Sequence, residues 1–264
     1  MSGVDPNGGG PLLVPGGAAA PPEGTGLTSV TAGEWDTPST LAARVAADAA
    51  ALRAILDATR TTTPSLASTS GWTNSTSGTG ATSTQNTSTG QMEFAVNNNG
   101  GTARFLRTIS VPSDWRAQVR VRSFSDTTVN VQATFSVYQS ASPTEGPRFT
   151  VYGDGSLRTQ YVPFSGSTVT VRAQTTAISA VRAAMTAGTL WMRMQSQGGC
   201  IGWLYAVGAT ESSLSWVTFG AYALPGSTDG ERTPDTYNVS LNRVSSSGAQ
   251  TATVDSISYR DLSP

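Results

Sequence analysis

Four aromatic residues, Trp203, Tyr205, Trp216 and Tyr222, lie close together in a stretch rich in Ser, Thr, Gln and Gly. Rings among hydroxyl and amide groups are what carbohydrate recognition uses: the ring covers the apolar side of a sugar and the polar groups read its edge. These four are therefore candidate glycan-facing residues, Trp203 and Trp216 foremost, and core packing is the competing role for each. Catalysis has less to draw on. The chain contains no His, no Lys and a single cysteine, Cys200, which removes Ser-His-Asp arrangements, lysine nucleophiles and zinc sites. A pair of carboxylates about 5–10 Å apart would suffice for glycoside hydrolysis. Of the eleven acids after residue 90, no two stand at i, i+2 within a strand-like run, so no catalytic residue and no enzyme is expected. Asp154, between Gly153 and Gly155, and the segment Ser227-Thr228-Asp229-Gly230-Glu231 offer oxygen ligands of the kind calcium takes. Asp-Gly is also the ordinary sequence of a tight turn, so no metal and no other cofactor is expected. Cys200, between Gly199 and Ile201, is expected to be a small buried apolar side chain.

The elements that must position these residues follow a period of two. WRAQVRVRSF places Trp115, Ala117, Val119 and Val121 on one face and Arg116, Gln118, Arg120 and Arg122 on the other. VNVQATFSVY does the same with Val129, Val131, Ala133, Phe135 and Val137 inward. Such alternation marks antiparallel strands with one face in a core and the other in water. Further runs at 103–110, 148–152, 157–162, 168–175, 189–195, 200–207, 214–219, 236–243 and 250–260 make around a dozen short strands. That number in a domain of this size predicts an all-β, two-sheet sandwich over residues 91–264. AISAVRAAM at 177–185 is the one possible helix there, with a strand or connecting turn as the alternative.

The first ninety residues read differently. Residues 1–37 are a Gly/Pro-rich extended arm that composition alone leaves disordered. Ordering by a larger assembly would make Leu12, Leu13 and Val14 its docking residues. Residues 38–62 hold an Ala-rich helix that starts behind a proline. Its apolar residues Leu41, Val45, Leu52, Ile55 and Leu56 fit a heptad seam in two registers, too sparse for a helix that stands alone. It reads as an oligomerisation stalk, most simply of a homotrimer. Residues 63–90 read as a Ser/Thr-rich linker.

At the C-terminal third a resemblance enters. TLWMRMQSQGGCIGWLYAVGATESSLSWVTFGAY resembles the central hairpin of concanavalin-like and laminin-G-like sandwiches, where a Leu-Trp-x-Arg strand leads through Gly-Gly to an aromatic strand and a polar turn. TATVDSISYRDL is similar to the closing strand of such domains and of jelly-roll carbohydrate-binding modules. The resemblance covers residues 189–260. It implies a lectin-like, jelly-roll type sandwich; the Glu-x-Asp-x-Glu strand that hydrolases on this scaffold carry is missing, which favours binding over cleavage. The order of arm, helix, polar linker and sandwich also resembles minor tail or fibre proteins of phages infecting actinobacteria. That resemblance implies a virion protein with three sets of partners: other virion proteins through the arm, its own copies through the helix, and a host-surface glycan through the sandwich. Capsid decoration or head-fibre attachment, and a secreted bacterial carbohydrate-binding module, are the alternatives. The start MSGVDPNGGGPLLVPGG has neither a basic head nor an apolar run, so no signal peptide is expected and assembly in the host cytoplasm is. No eighteen-residue apolar run predicts a membrane span. Three arginines against six acids before residue 91, and thirteen against eleven after it, give no basic track for nucleic acid.

Overall fold

Alternation governs the strands from about residue 91 onward, and in the computed structural model they form two antiparallel sheets packed face to face. The structure describes residues 38–97, 100–110, 114–128, 130–138, 146–162, 170–223, 235–243 and 249–262. In chain order the elements are α1 (Pro38–Arg60), β1 (Thr61–Thr62), β2 (Trp72–Ser77), β3 (Thr82–Asn86), β4 (Gln91–Val96), β5 (Thr102–Thr108), β6 (Trp115–Phe124), β7 (Val131–Tyr138) and β8 (Gly146–Tyr152). They continue with β9 (Leu157–Val162), β10 (Thr170–Gln174), α2 (Ser179–Ala187), β11 (Leu190–Gln197), β12 (Cys200–Val207), β13 (Val217–Ala223), β14 (Thr236–Arg243) and β15 (Gln250–Asp261). The eight-stranded front sheet runs β13-β12-β11-β6-β15-β4-β3, with β1 paired to β15; the seven-stranded back sheet runs β10-β9-β8-β7-β14-β5-β2.

The inner faces supply the core. Trp115, Ala117, Val119 and Val121 of β6 point into it, as do Phe135 and Val137 of β7. Ring pairs join the sheets along their length: Phe94 to Phe105, Tyr237 to Tyr259, Phe149 to Phe219 and Tyr161 to Tyr222, with centroids 5.3–6.0 Å apart. Such pairs contribute about 0.5–1.5 kcal/mol each beyond their buried area. The Tyr237 hydroxyl donates across to the Ser258 carbonyl at 2.6 Å.

One boundary differs from the sequence reading, and one open assignment is resolved. β2 and β3 lie inside the stretch 63–90 taken as linker, because even a Ser/Thr-rich strand adds to a sheet edge through its backbone hydrogen bonds. The segment 177–185, open between helix, strand and turn in the sequence, is helical from Ser179 on, as α2 (Ser179–Ala187), with Val181, Ala184 and Met185 buried on one side. It ends at Gly188 in the left-handed conformation, and a side chain there would strike the Arg122 carbonyl oxygen.

The helix α1 is a unit of its own, dividing from the sandwich between Thr59 and Arg60. It begins at Pro38, whose missing N–H is no loss in a first turn. Val45 and Leu52 are 61% and 52% exposed, and Ile55 and Leu56 are about half exposed. The Leu41 side chain and the arm with Leu12, Leu13 and Val14 lie outside the described residues. No helix among the described residues is long and apolar enough to cross a membrane.

Candidate functional site

The hairpin β11–β12 turns through Gly198 and Gly199, both with positive φ, 56° and 74°. That two-residue turn fixes a register in which Trp203 opposes Met194 and Leu204 opposes Arg193. Alternation then sorts the side chains. Ile201, Trp203 and Tyr205 face the back sheet; Cys200, Gly202 and Leu204 face outward. Trp203 is 0% exposed and lies among the largest core side chains, so it cannot offer a ring to a ligand, which corrects its place as a first-choice stacking residue. Tyr205 packs partly buried against the same core. Tyr222 also turns inward, its ring against Tyr161 on one side and the Arg172 guanidinium 3.6 Å away. The four candidate aromatics thus do not make one face: three belong to the inner side, and Trp216 alone reaches the outer one.

Cys200 is exposed rather than buried. As the first residue after the turn it falls on the outer side, opposite in phase to the buried Ile201. Asp154 does turn chemistry, accepting from the Ser156 N–H at 2.8 Å and the Ser156 hydroxyl at 2.7 Å. Residues 227–231 lie outside the described residues, and among the described residues no group of three or more acidic or Cys side chains converges on a metal position.

The outer face of the front sheet carries a polar network of side chains. Arg193, only 9% exposed, donates through Nε and Nη2 to the Gln118 side-chain oxygen at 3.1 and 2.8 Å. The Gln118 amide donates to Glu211 at 2.6 Å. The Arg193 guanidinium lies 3.5 Å from the centre of the Trp216 ring. One position along, Arg120 grips Asp255 with two bonds, at 2.6 and 2.8 Å, and donates to the Ala209 carbonyl at 2.7 Å. The Trp191 indole donates to the Gly208 carbonyl at 3.0 Å. The connection from β12 to β13 is therefore pinned to the sheet at Gly208, Ala209, Glu211 and Trp216. Burial pushes the Arg193 guanidinium down to about 9; Arg116 and Arg260 nearby push the same way, and Glu211 partly offsets them.

Asp255 reaches this face through a bulge. Val254 opposes Val121 and Ser256 opposes Arg120, leaving Asp255 as the extra residue. The bulge brings Val254 and Ile257, three residues apart, to the same buried face. Arg116, Gln118 and Arg120 were legible as outward positions; the convergence of Arg193, Glu211 and Trp216 on them depends on how the connection folds, which alternation does not encode.

Beside the network, across β11, β12 and β13, is a shallow depression of about 410 Å³. Gly202, Leu204 and Ala221 form its floor; Gln195, Gln197 and Thr218 give it amide and hydroxyl groups. It is apolar below and polar at the edge.

No family model matches the chain, and no curated protein does. Solved structures do. A prokaryotic beta-1,3-1,4-glucanase (lichenase) derived from a mouse hindgut metagenome aligns over 77% of this chain and all of its own, with a TM-score of 0.52 and 12% identity. The fold is that of the lectin and glucanase sandwiches. The exoplasmic/lumenal domain of VIP36, solved in its Ca2+/Man3GlcNAc-bound form, covers 78% of this chain and 89% of its own (TM-score 0.52, 9% identity). The Crh5 transglycosylase covers 78% and 85% (TM-score 0.52, 15% identity). At such identities the likeness establishes the lectin-like sandwich and leaves the site to be argued from its own residues.

Proposed function

We propose that this lectin-like sandwich binds a cell-surface glycan on the outer face of its front sheet and does not cleave it. The observation that carries the reading is the depression across β11–β13, with its apolar floor and amide and hydroxyl edge, beside a tryptophan pinned by a cation. Sugar rings need that combination of flat apolar contact and edge hydrogen bonding. The glucanase, the transglycosylase and the Man3GlcNAc-bound VIP36 domain, which share this fold, all concern carbohydrate, which fits the reading. Binding is favoured over hydrolysis because the carboxylates that the described residues place on the outer face of this sheet are engaged: Asp255 with Arg120, Glu211 with Gln118 and Glu93 with Asn86.

The wider setting we infer is a virion attachment protein of the minor tail or fibre kind. Its arm would dock on other virion proteins and α1 would trimerise it through Val45, Leu52, Ile55 and Leu56. The exposure of those four apolar residues supports a helix that needs partners. Light scattering on the full chain is expected to give a trimer, and a Val45→Ser, Leu52→Ser variant a monomer; a wild-type monomer at micromolar concentration contradicts this assembly. The binding reading is tested with isolated actinobacterial wall polysaccharide. Saturable binding without new reducing ends is expected, and either release of reducing ends or absence of binding to polysaccharide and cells alike overturns it.

A further inference from the structure

Among the described residues three glycines lie within strands: Gly146, Gly202 and Gly220. A glycine inside a strand weakens it, so each calls for a cause: a backbone that other residues rarely adopt, a neighbour too close for a side chain, or a ligand that needs the space. Gly146 meets the first two, with φ at 104° and the Val137 carbonyl oxygen 2.5 Å from where a Cβ would stand. Gly220 meets the second. A Cβ there would lie 3.3 Å from the Ala173 Cβ and 3.5 Å from the Thr159 hydroxyl of the back sheet. Gly202 meets neither: its φ is not positive, and its pairing runs straight from Gln195 on β11 to Ala221 on β13. A Cβ at Gly202 would find nothing nearer than the Gln195 Cγ and the Leu204 Cδ1, both at 3.7 Å, which is ordinary van der Waals contact. The fold would accept a side chain here, and that side chain would stand in the depression.

The groups around Gly202 fit a ligand that comes down to the backbone. Ala221 beside it carries only a methyl, so β12 and β13 form a low shelf, and from Gln195 to Ala221 the row spans about 10 Å, two strand spacings. Among the described residues the side-chain amides of Gln195 and Gln197 and the Thr218 hydroxyl make no hydrogen bond within the chain. The Gln118 amide of the neighbouring network, by contrast, is engaged by Glu211 and Arg193. None of the described residues that line the depression is charged. The cations nearest to it are committed elsewhere: Arg193 to Gln118 and Trp216, and Arg116 in an interaction of its own.

Resting on the glycan-binding reading, we propose that Gly202 is the specificity-determining residue of the site and that the ligand is an uncharged sugar chain. The missing side chain lets a pyranose ring lie flat on the shelf, its C–H face on Gly202 and Ala221 and its hydroxyl or acetamido groups on Gln195, Gln197 and Thr218. A ring face gains contact only at van der Waals distance, and one branched side chain in the middle of the shelf prevents that approach. Primary amides donate and accept, as sugar hydroxyl and acetamido groups do, and bring no charge to select an acid or an amine.

The test uses the full chain with wall polysaccharide and with oligomers of glucose, mannose, N-acetylglucosamine and galacturonate. Gly202→Val is expected to lower affinity for wall polysaccharide at least about tenfold, Gly202→Ala by less, and neither to lower the melting temperature. Ala95→Val, an enlargement on the outer side of β4 in the same sheet, should leave binding unchanged. Cys200, the chain's single cysteine, is exposed and lines the depression. Its reaction with a thiol reagent is therefore expected to slow when a neutral oligomer binds. The proposal is overturned by wild-type affinity in Gly202→Val, by a melting temperature that falls in both Gly202 variants, by an equal loss of binding in Ala95→Val, by a Cys200 reaction that bound oligomer leaves unchanged, or by galacturonate binding tighter than every neutral oligomer. Any of these, with wall polysaccharide still bound by the wild type, sinks this inference alone; a wild type that binds no glycan sinks the reading beneath it.

Discussion

The two faces of β6, β11 and β12 are made by the same strands, residue alternating with residue, yet they follow different physics. The inner face is hydrophobic and closed: Val119, Met192, Met194 and Trp203 are within a few per cent of complete burial. The outer face is polar and partly covered: Gln118, Arg120, Arg193 and Trp191 are tied down by a connection that arrives from β12. Apolar packing is non-directional and can be anticipated from composition and period. A polar network is directional, so it exists only when several segments arrive together. A tryptophan therefore means different things on the two sides: Trp203 is core mass, and Trp216, held against Arg193 at the outer face, is the proposed stacking ring.

The largest expected effect separates those roles. Trp203→Ala should cost about 3–5 kcal/mol of stability, read as a drop in the denaturation midpoint. Nothing approaching that is expected from Trp216→Ala on the other face.

Next comes the clamp that holds the outer connection. Arg120→Ala leaves Asp255 without its two strongest donors and frees the Ala209 carbonyl. With Arg120 and Asp255 side chains 20% and 13% exposed, a loss of about 1–3 kcal/mol is expected. Limited proteolysis should then cut first near residues 208–216; cleavage elsewhere would mean that the connection is held by other contacts.

The inner face also has a pH signature. Burial, with Tyr259 beside it, raises the Tyr237 phenol well above its usual range. A raised folded-state value contributes stability that is complete below the unfolded value of about 10 and is lost as pH rises above it, by about 1.4 kcal/mol per pH unit while only the unfolded state ionises. Tyr237→Phe is expected to flatten the alkaline decline at the cost of the bond to Ser258. Arg193, pushed down to about 9, acts in the opposite sense above that pH, but it is common to both proteins and cancels in the comparison. An identical decline in wild type and variant would count against the buried phenol as its source.

How much of this was readable beforehand follows the same division. The period of two in 115–122 and 131–137 marked strands and their inner faces directly, Val129 lying outside the described residues, and the resemblance at 189–222 marked β11 and β12 as a hairpin without fixing its register. β2 and β3 escaped notice because Thr and Ser carry almost no apolar contrast, so their membership in the sheets is written in backbone bonding. Trp203 was legible as lying opposite Leu204, but not which of those faces met the core. That was decided by the back sheet, through Thr159, Ala173 and the inward rings of Tyr222 and Phe219. The bulges at Asp255 and Phe219 shifted the phase of β15 and β13 and could not be read from spacing alone.

The smallest effect on stability should accompany the largest on function. Trp216→Ala removes a partly buried ring and one cation–π contact, about 0.5–2 kcal/mol, and should weaken wall-polysaccharide binding at least about tenfold with little change in melting temperature. The most direct test of the outer face as the binding surface is an NMR titration of the 15N-labelled chain with wall-polysaccharide fragments. The predicted result is that the Trp216 indole and the amides of Gln195, Gly202, Thr218 and Ala221 shift together while the Trp203 indole stays still. Shifts confined to the loops at the ends of the sandwich, or to the back sheet, would contradict it.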